Sequence, residues 1–356
     1  MAGAKRRVPR EFHGGSRAGI EHLCSQQCRI GVVVELHVGP PEPCRPRSPP
    51  SAFASINSGG VAASIASMPA DQGRRPHELE LTSAANPRVK RLVALRRRRS
   101  REQAGVTLVE GLAEVELALA AGVRPQALYY CRQLATTESL ALTDRAAARG
   151  IEVIHLTRPV FEKVSYRDGP DGWLAVVPAV ETELASLQLP PRPLVLICAG
   201  LEKPGNLGAI LRTADAAGVA AVIAADPVTD WGNPNVVRAS KGTVFSVAVA
   251  SATTSEVLAW TAKHGLQIVA ATPDATTLVT QTDLTGPTAI AVGAEQAGLP
   301  PDWLDSAAVR VRIPMFGKAD SLNVATSAAI IAYEAVRQRL QAGELPNRPS
   351  LRSGYA

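Results

Sequence analysis

Three short segments in the C-terminal half of the sequence bring polar side chains and glycines together at the ends of apolar stretches. The first is Asn206-Leu207-Gly208-Ala209-Ile210-Leu211-Arg212-Thr213-Ala214, preceded by Glu202-Lys203-Pro204-Gly205. The second, Gly293-Ala294-Glu295-Gln296-Ala297-Gly298, follows an apolar run ending at Val292 and sets a carboxylate between two glycines. The third is Ile313-Pro314-Met315 followed by Ser321-Leu322-Asn323-Val324-Ala325, an extended loop running into a helix. Glycine lets backbone approach a ligand or turn sharply, and polar residues on such loops are placed to bind. If the apolar runs are parallel strands, all three segments lie at their C-terminal ends, where open α/β sheets take ligands.

Each segment also has a plainer reading. Asn206 fits an N-cap, Arg212 a solvated helical cation and Ser321 another N-cap. A lone G-x-E-x-x-G is a weak signal, and it is not the dinucleotide fingerprint, which needs three glycines at another spacing in the first crossover. The order of the three, each at the end of an expected strand, is far more specific than any one of them.

The elements that must position these residues are legible. Residues 194–199 are wholly apolar, as in a strand buried on both faces of a parallel sheet. Further strands are predicted at 220–225, 244–250, 267–271, 288–292 and 309–313, alternating with helices at 207–217, 254–264 and 322–340. That alternation predicts a parallel sheet covered by helices over residues 192–342. Upstream, residues 73–185 read as a smaller α/β domain. Asn86-Pro87 starts a helix, strands are predicted at 106–109, 127–131 and 151–156, and helices at 111–121 and 138–149. Pro190-Pro191-Arg192-Pro193 is a stiff linker between the two. Residues 1–72 mix Pro, Gly, Ser and Arg without periodicity, which predicts a disordered or spurious N-terminal extension with Met68 as the true start. Residues 343–356 read as a flexible tail.

Composition narrows the partners. A length of 356 residues favours two domains, and aromatics at 4% predict aliphatic cores and argue against gripping a nucleic acid by stacking on many rings. The formal charge of +6 permits a polyanionic partner without requiring one, so its distribution decides. Arg88, Lys90, Arg91, Arg96, Arg97, Arg98, Arg99 and Arg101 follow one another with no acidic residue between them. A charge run is usually a solvated face, but unrelieved like charge repels itself, and here phosphate contact is the expectation. Cys24, Cys28, Cys44, Cys131 and Cys198 form neither a disulfide framework nor a zinc pattern, so no metal is expected and a reducing cytoplasm is. No run is long and apolar enough for a membrane span or secretion signal.

Taken together, the three segments resemble the SpoU/TrmH family of RNA 2′-O-ribose methyltransferases, whose motifs read approximately N-x-G-x-x-x-R-T, G-x-E-x-x-G and I-P-M followed by S-L-N-V-S. The sequence departs at Ala325, where the third motif often has Ser. The resemblance covers residues 77–340, because Asn86-Pro87 and Val109-Glu110-Gly111 match the family's substrate-binding module. It implies a SPOUT fold, a parallel sheet with a C-terminal trefoil knot, one of the few exceptions to unknotted topology. It implies S-adenosyl-L-methionine as cofactor, contacted by Gly293, Ile313 and Leu322 with Thr272 and Met315 nearby. It puts Asn206, Arg212, Glu295, Ser321 and Asn323 in a catalytic centre completed across a homodimer. RNA is the implied partner, with Arg88, Lys90, Arg91, Arg96, Arg97, Arg98 and Arg99 as its candidate contacts. The separate middle domain favours ribosomal RNA over tRNA, which leaves open a role at an antibiotic target.

Methyl transfer from a sulfonium needs mainly alignment of the ribose hydroxyl, at about 3 Å from the methyl group, and removal of its proton. The family assigns proton removal to the motif-one arginine, here Arg212, yet an arginine holds its proton because its pKa exceeds about 12. Holding a phosphate and stabilising the developing alkoxide suits Arg212 better, with Glu295 orienting Arg212 or Asn206. The competing readings are a tRNA methyltransferase, a catalytically silent RNA-binding factor, against which intact Asn206, Arg212 and Glu295 speak, and a nicotinamide enzyme, which lacks its glycine fingerprint.

Overall fold

The computed structural model describes residues 79–343. The expected extension over 1–72, with Met68 and Cys24, Cys28 and Cys44, lies outside the described residues, as does the tail beyond 343.

The chain first builds a five-stranded mixed sheet. Its elements are β1 (Leu79–Leu81), α1 (Pro87–Ala94), α2 (Arg98–Ala104), β2 (Val106–Glu110), α3 (Leu112–Ala120), β3 (Ala127–Tyr130), α4 (Ala141–Ala148), β4 (Glu152–Leu156), α5 (Arg158–Val164) and β5 (Trp173–Pro178). The order is β1-β4-β3-β5-β2, with β5 antiparallel to both of its neighbours. Asn86 caps α1 as expected, its side chain accepting from the Arg88 amide at 2.9 Å with Pro87 in the first turn. The basic run does not form one helix. Leu95 ends α1 and Arg97 is extended, so the charges divide between α1 and α2. β1 and β5 are strands beyond those predicted from the sequence. Trp173–Val177 are all buried, so the stretch shows no alternation of the half-buried kind.

The second sheet is wholly parallel and has seven strands. Its elements are β6 (Leu194–Ala199), α6 (Pro204–Ala217), β7 (Ala221–Ala225), α7 (Pro234–Ala239), β8 (Val249–Ala252), α8 (Thr254–Lys263), β9 (Gln267–Ala271), β10 (Thr277–Leu278), β11 (Thr288–Val292), α9 (Pro301–Asp305), β12 (Val309–Arg312) and α10 (Val324–Gln341). The strand order is β10-β12-β9-β11-β6-β7-β8. β6, β9 and β11 have the predicted bounds, and β11 and β6 are paired at the centre of the sheet. The strand expected at 244–250 is corrected. Lys241 and Gly242 adopt positive φ, a short 3-10 turn spans Thr243–Phe245, and β8 starts only at Val249. An apolar run such as Val244–Val247 does not itself distinguish a buried turn from a strand. Gly208, from the first motif, lets α6 press against α7, since a Cβ there would meet Ala239 Cβ, the Ser240 amide and the Val236 carbonyl.

A single hydrophobic cluster joins the two sheets, containing Val109, Val115, Tyr130 and Trp173 from the first and Leu196, Leu207, Ile210 and Val236 from the second. All four tryptophans, Trp173, Trp231, Trp260 and Trp303, are buried, as are Tyr129, Tyr130 and Phe161, in an interior that is mainly aliphatic. Beside this core Arg101, buried on α2, reaches Asp230, which follows β7, with two hydrogen bonds of 2.9 and 2.8 Å. The same guanidinium donates to the carbonyls of Leu95 and Arg96 at 3.3 and 2.9 Å. Removing one partner of a buried ion pair leaves the other charge desolvated and unpaired. Asp230→Ala should therefore cost about 3 kcal/mol, the low end for such pairs because Asp230 keeps some solvent contact. Denaturant unfolding of the variant and the parent protein measures that difference.

Candidate active site

Beyond the C-terminal ends of β9, β11 and β12 lies a pocket of about 440 Å³. Its walls come from the three loops that follow those strands and from the first turns of α10. Thr272, Gly293, Ile313, Met315 and Leu322, the five residues expected around a cofactor, all line it, as do Glu295 and Ser321. Asp274, Gln296 and Asp320 line it too and were not singled out in the sequence, although Asp274 follows a predicted strand end and was findable on that ground. The glycines of the second motif shape this wall. A Cβ on Gly293 would overlap the backbone of Gly298 and Leu299, and Gly298, at φ +66°, closes a tight turn with its amide donating to the Ala294 carbonyl at 2.8 Å.

At the rim of the pocket the three motifs meet through side chains. Glu295 accepts from Lys203 Nζ on one carboxylate oxygen and from Asn206 Nδ2 on the other. Asn323 Nδ2 lies 3.3 Å from that second oxygen and 3.2 Å from Asn206 Oδ1. The sequence-based alternatives for these residues are decided by the helix starts. α6 begins at Pro204, so Asn206 is inside the first turn, caps nothing and is free to reach Glu295. α10 begins at Val324, and its cap is Asn323, which accepts from the Ala325 amide at 3.0 Å, rather than Ser321. Lys203 was missed because it looked like part of a loop. The hydrogen bonds from Lys203 and then Asn206 hold the Glu295 carboxyl below its ordinary pKa, so it stays ionised. Cys198, by contrast, is fully buried in β6 and its thiol is pushed up to about 12, which leaves it inert.

The chain has relatives among known proteins. A model of the SpoU rRNA methylase family matches residues 193–333, and one of the MRM3-like substrate binding domain matches residues 86–175. A 23S rRNA (uridine(2479)-2′-O)-methyltransferase of Streptomyces viridochromogenes is 31% identical over 77% of this chain and 97% of its own. The chain belongs to the SpoU rRNA methylase family. A crystal structure of an RNA 2′-O ribose methyltransferase superposes on it with a TM-score of 0.66 at 43% identity, covering 74% of this chain and all of the other. An S-adenosylmethionine-bound rRNA methyltransferase from Sinorhizobium meliloti gives a TM-score of 0.67 at 32% identity, over 72% of this chain and 97% of its own.

The remaining candidates of this SpoU family member are not in the cluster. Arg212 is exposed on α6, six residues beyond Asn206, a spacing that turns it roughly 240° round the helix, and among the described residues its side chain has no partner. The basic run is heterogeneous. Arg88 pairs with Glu152 at 2.7 Å and Arg98 with Glu102 at 2.7 Å, while Lys90, Arg91, Arg97 and Arg99 are exposed and without ion pairs among the described residues. Arg96 is turned inward onto the carbonyls of Lys163 and Ser165, which takes it out of the set of free cations.

Two outcomes follow. Gly293→Ala should empty the pocket of function by pushing the 298–299 backbone outward, read as a large loss of cofactor affinity in calorimetry. Glu295 titrates below its ordinary value, so its network is intact above that value and dissolves only as pH falls through the lowered one. Lys203→Met removes the largest cause of the shift, and the acid limb of the pH–activity profile should move to higher pH.

Proposed function

We propose that this protein is an S-adenosylmethionine-dependent RNA 2′-O-ribose methyltransferase that modifies ribosomal RNA, as a homodimer, in the cytoplasm. The observation that carries the reading is the convergence of the three motifs on one pocket rim through Glu295, Asn206 and Asn323. The pocket suits the cofactor. Its volume is in the range of small-molecule sites, its glycine and apolar lining offers backbone and van der Waals contact, and Asp274, Glu295 and Asp320 bring negative charge toward a cationic ligand. Gly293, Ile313 and Leu322 would hold it, with Thr272 and Met315 alongside. When bound, S-adenosylmethionine supplies an electrophilic methyl group.

The chain's own residues then have to present a ribose hydroxyl and handle its proton. Asn206 and Asn323, both fixed by Glu295, offer amides at the rim that orient the ribose, and Ser321 completes the mouth of the pocket. Glu295 serves by position, because its ionised carboxylate is engaged by Lys203 and Asn206. Arg212 holds a target phosphate by charge-assisted hydrogen bonds and steadies the developing alkoxide. Its direction away from Asn206 on α6 favours a site completed by the arginine of a second copy, which supports the homodimer that the family resemblance implies. Exposed Ile330 and Tyr333 on α10 offer that copy an apolar surface. The trefoil knot belongs to the same reading, since the loop 313–323 shares a pocket with the loop 293–298 and α10 then packs back against α6. The free cations Lys90, Arg91, Arg97 and Arg99 take RNA phosphates, and the division into an RNA-binding domain over 73–185 and a methyltransferase domain over 192–342 follows the two sheets.

The test is transfer of labelled methyl groups to ribosomal RNA and to tRNA, with 2′-O-methyl mapping of the product. Label on ribose in ribosomal RNA is expected, label in tRNA alone would replace the target, and no transfer to any RNA would overturn the reading. Arg212→Ala should remain a folded dimer, bind the cofactor normally and lose methyl transfer by roughly 10²-fold, as for loss of one oxyanion-type donor. Arg212→Lys should recover little, because lysine keeps the charge without the planar fork.

A further inference from the structure

Glu110, the last residue of β2, is buried, and its carboxylate fastens the loop that follows α5. It accepts from Ser165 Oγ at 2.5 Å and from the Tyr166 amide at 2.6 Å. The Tyr166 hydroxyl in turn donates to the Arg96 carbonyl at 2.9 Å. The Arg96 guanidinium lies over the Tyr166 ring, 5.3 Å from its centroid, and is itself held by the carbonyls of Lys163, at 2.9 Å, and Ser165. The backbone of Tyr166, its hydroxyl and one ring face are thus all fixed, yet the residue is 37% exposed. Arg97 follows Arg96 directly and Arg99 lies in the first turn of α2. Both are exposed, and neither side chain has a hydrogen bond or ion pair among the described residues.

This arrangement differs from an ordinary surface tyrosine. An aromatic ring held rigid has little conformational entropy to lose on binding, and a guanidinium on one face leaves the rest of the ring for another flat, weakly polar group. Unpaired RNA bases are recognised by stacking on such rings and on arginine planes, while phosphates go to nearby free cations. Phe316 and Tyr333 are also exposed, but of the exposed rings among the described residues Tyr166 is the one held by a hydroxyl hydrogen bond and an arginine on its face, and it is the one beside the exposed Arg97 and Arg99.

We propose that Tyr166, locked onto Arg96, is a stacking platform for an unpaired nucleobase of the RNA substrate, with Arg97 and Arg99 holding the flanking phosphates. It rests on the RNA reading of the function and assigns a base-recognising residue in the first sheet's lobe. The platform binds bases by their faces, so it selects single-stranded RNA over duplex and tolerates different bases at that position.

The test uses the full chain and two fluorescein-labelled single-stranded probes of about 12 nucleotides, one RNA of mixed sequence and one with abasic residues on the same ribose-phosphate backbone. The wild-type protein is expected to bind the intact strand more tightly than the abasic one. Tyr166→Ala should weaken the intact strand roughly 10-fold and leave the abasic strand unchanged, and Tyr166→Trp should restore affinity. Arg97→Gln with Arg99→Gln should weaken both probes and flatten their salt dependence alike. Equal wild-type affinity for the two probes, or an Ala variant that loses both equally, would overturn the platform. The Trp variant separates loss of a ring from damage to the loop, because it keeps a ring while lacking the hydroxyl bond to Arg96. Methyl transfer by the wild-type protein is measured separately, so a platform without transfer and transfer without a platform are distinct results.

Discussion

The carboxylate of Glu295 is where the three motif segments become one structure. It receives Lys203 and Asn206 from the start of α6 and Asn323 from the start of α10. Both helices begin beside this one negative charge, where the positive end of a helix dipole favours an anion. The hydrogen bonds from Lys203 and Asn206 favour the ionised state of Glu295 and hold its pKa below the ordinary value. Asn323 has a double duty. Its oxygen caps α10 while its amide nitrogen reaches the cluster, so helix geometry and site geometry are set by one side chain. The loop that carries Glu295 is also the wall of the pocket, and Gly293 lets that loop fold back on itself at a distance no other residue allows.

The positive charge of the first lobe is sorted by the fold rather than displayed. Arg101 is consumed in the junction between the two sheets by Asp230, Arg96 is bonded inside its own lobe, and Arg88 and Arg98 have acidic partners at the surface. Repulsion along the run is relieved by these partners, which apart from Glu102 sit far away in sequence, and by the break at Leu95–Arg97 that divides the charges over two helices. The junction has a further consequence for the site. The Arg101–Asp230 pair sits in the loop after β7, where Thr229 also donates to the Glu202 carbonyl at 2.5 Å, one residue before Lys203. A continuous line of bonds therefore runs from the basic helices to the Glu295 cluster.

Periodicity and residue type were enough to determine the parallel sheet at 192–342, because buried strands such as Leu194–Ala199 and Thr288–Val292 are unbroken apolar runs with helices between them. The order of the three motifs was enough to point to one ligand site, since chain order and parallel strands put every loop at the same sheet edge. What the sequence could not determine depends on contacts between distant residues. Lys203 joins the site only because β6 and β11 are neighbours, a pairing over about 90 positions that no local pattern records. The caps of α6 and α10 fall two or three residues from their sequence-based places, since Pro204 starts a helix earlier than the apolar spacing indicates and Asn323 competes with Ser321 for the same role. β5 shows no alternation because both its faces are covered, and the 3-10 turn at Thr243–Phe245 has the composition of a strand. The fate of each arginine in the basic run was likewise decided by tertiary structure. Charge is visible in sequence, but whether a given guanidinium meets a carboxylate, a carbonyl, a ring or open solvent is settled only when the two lobes pack.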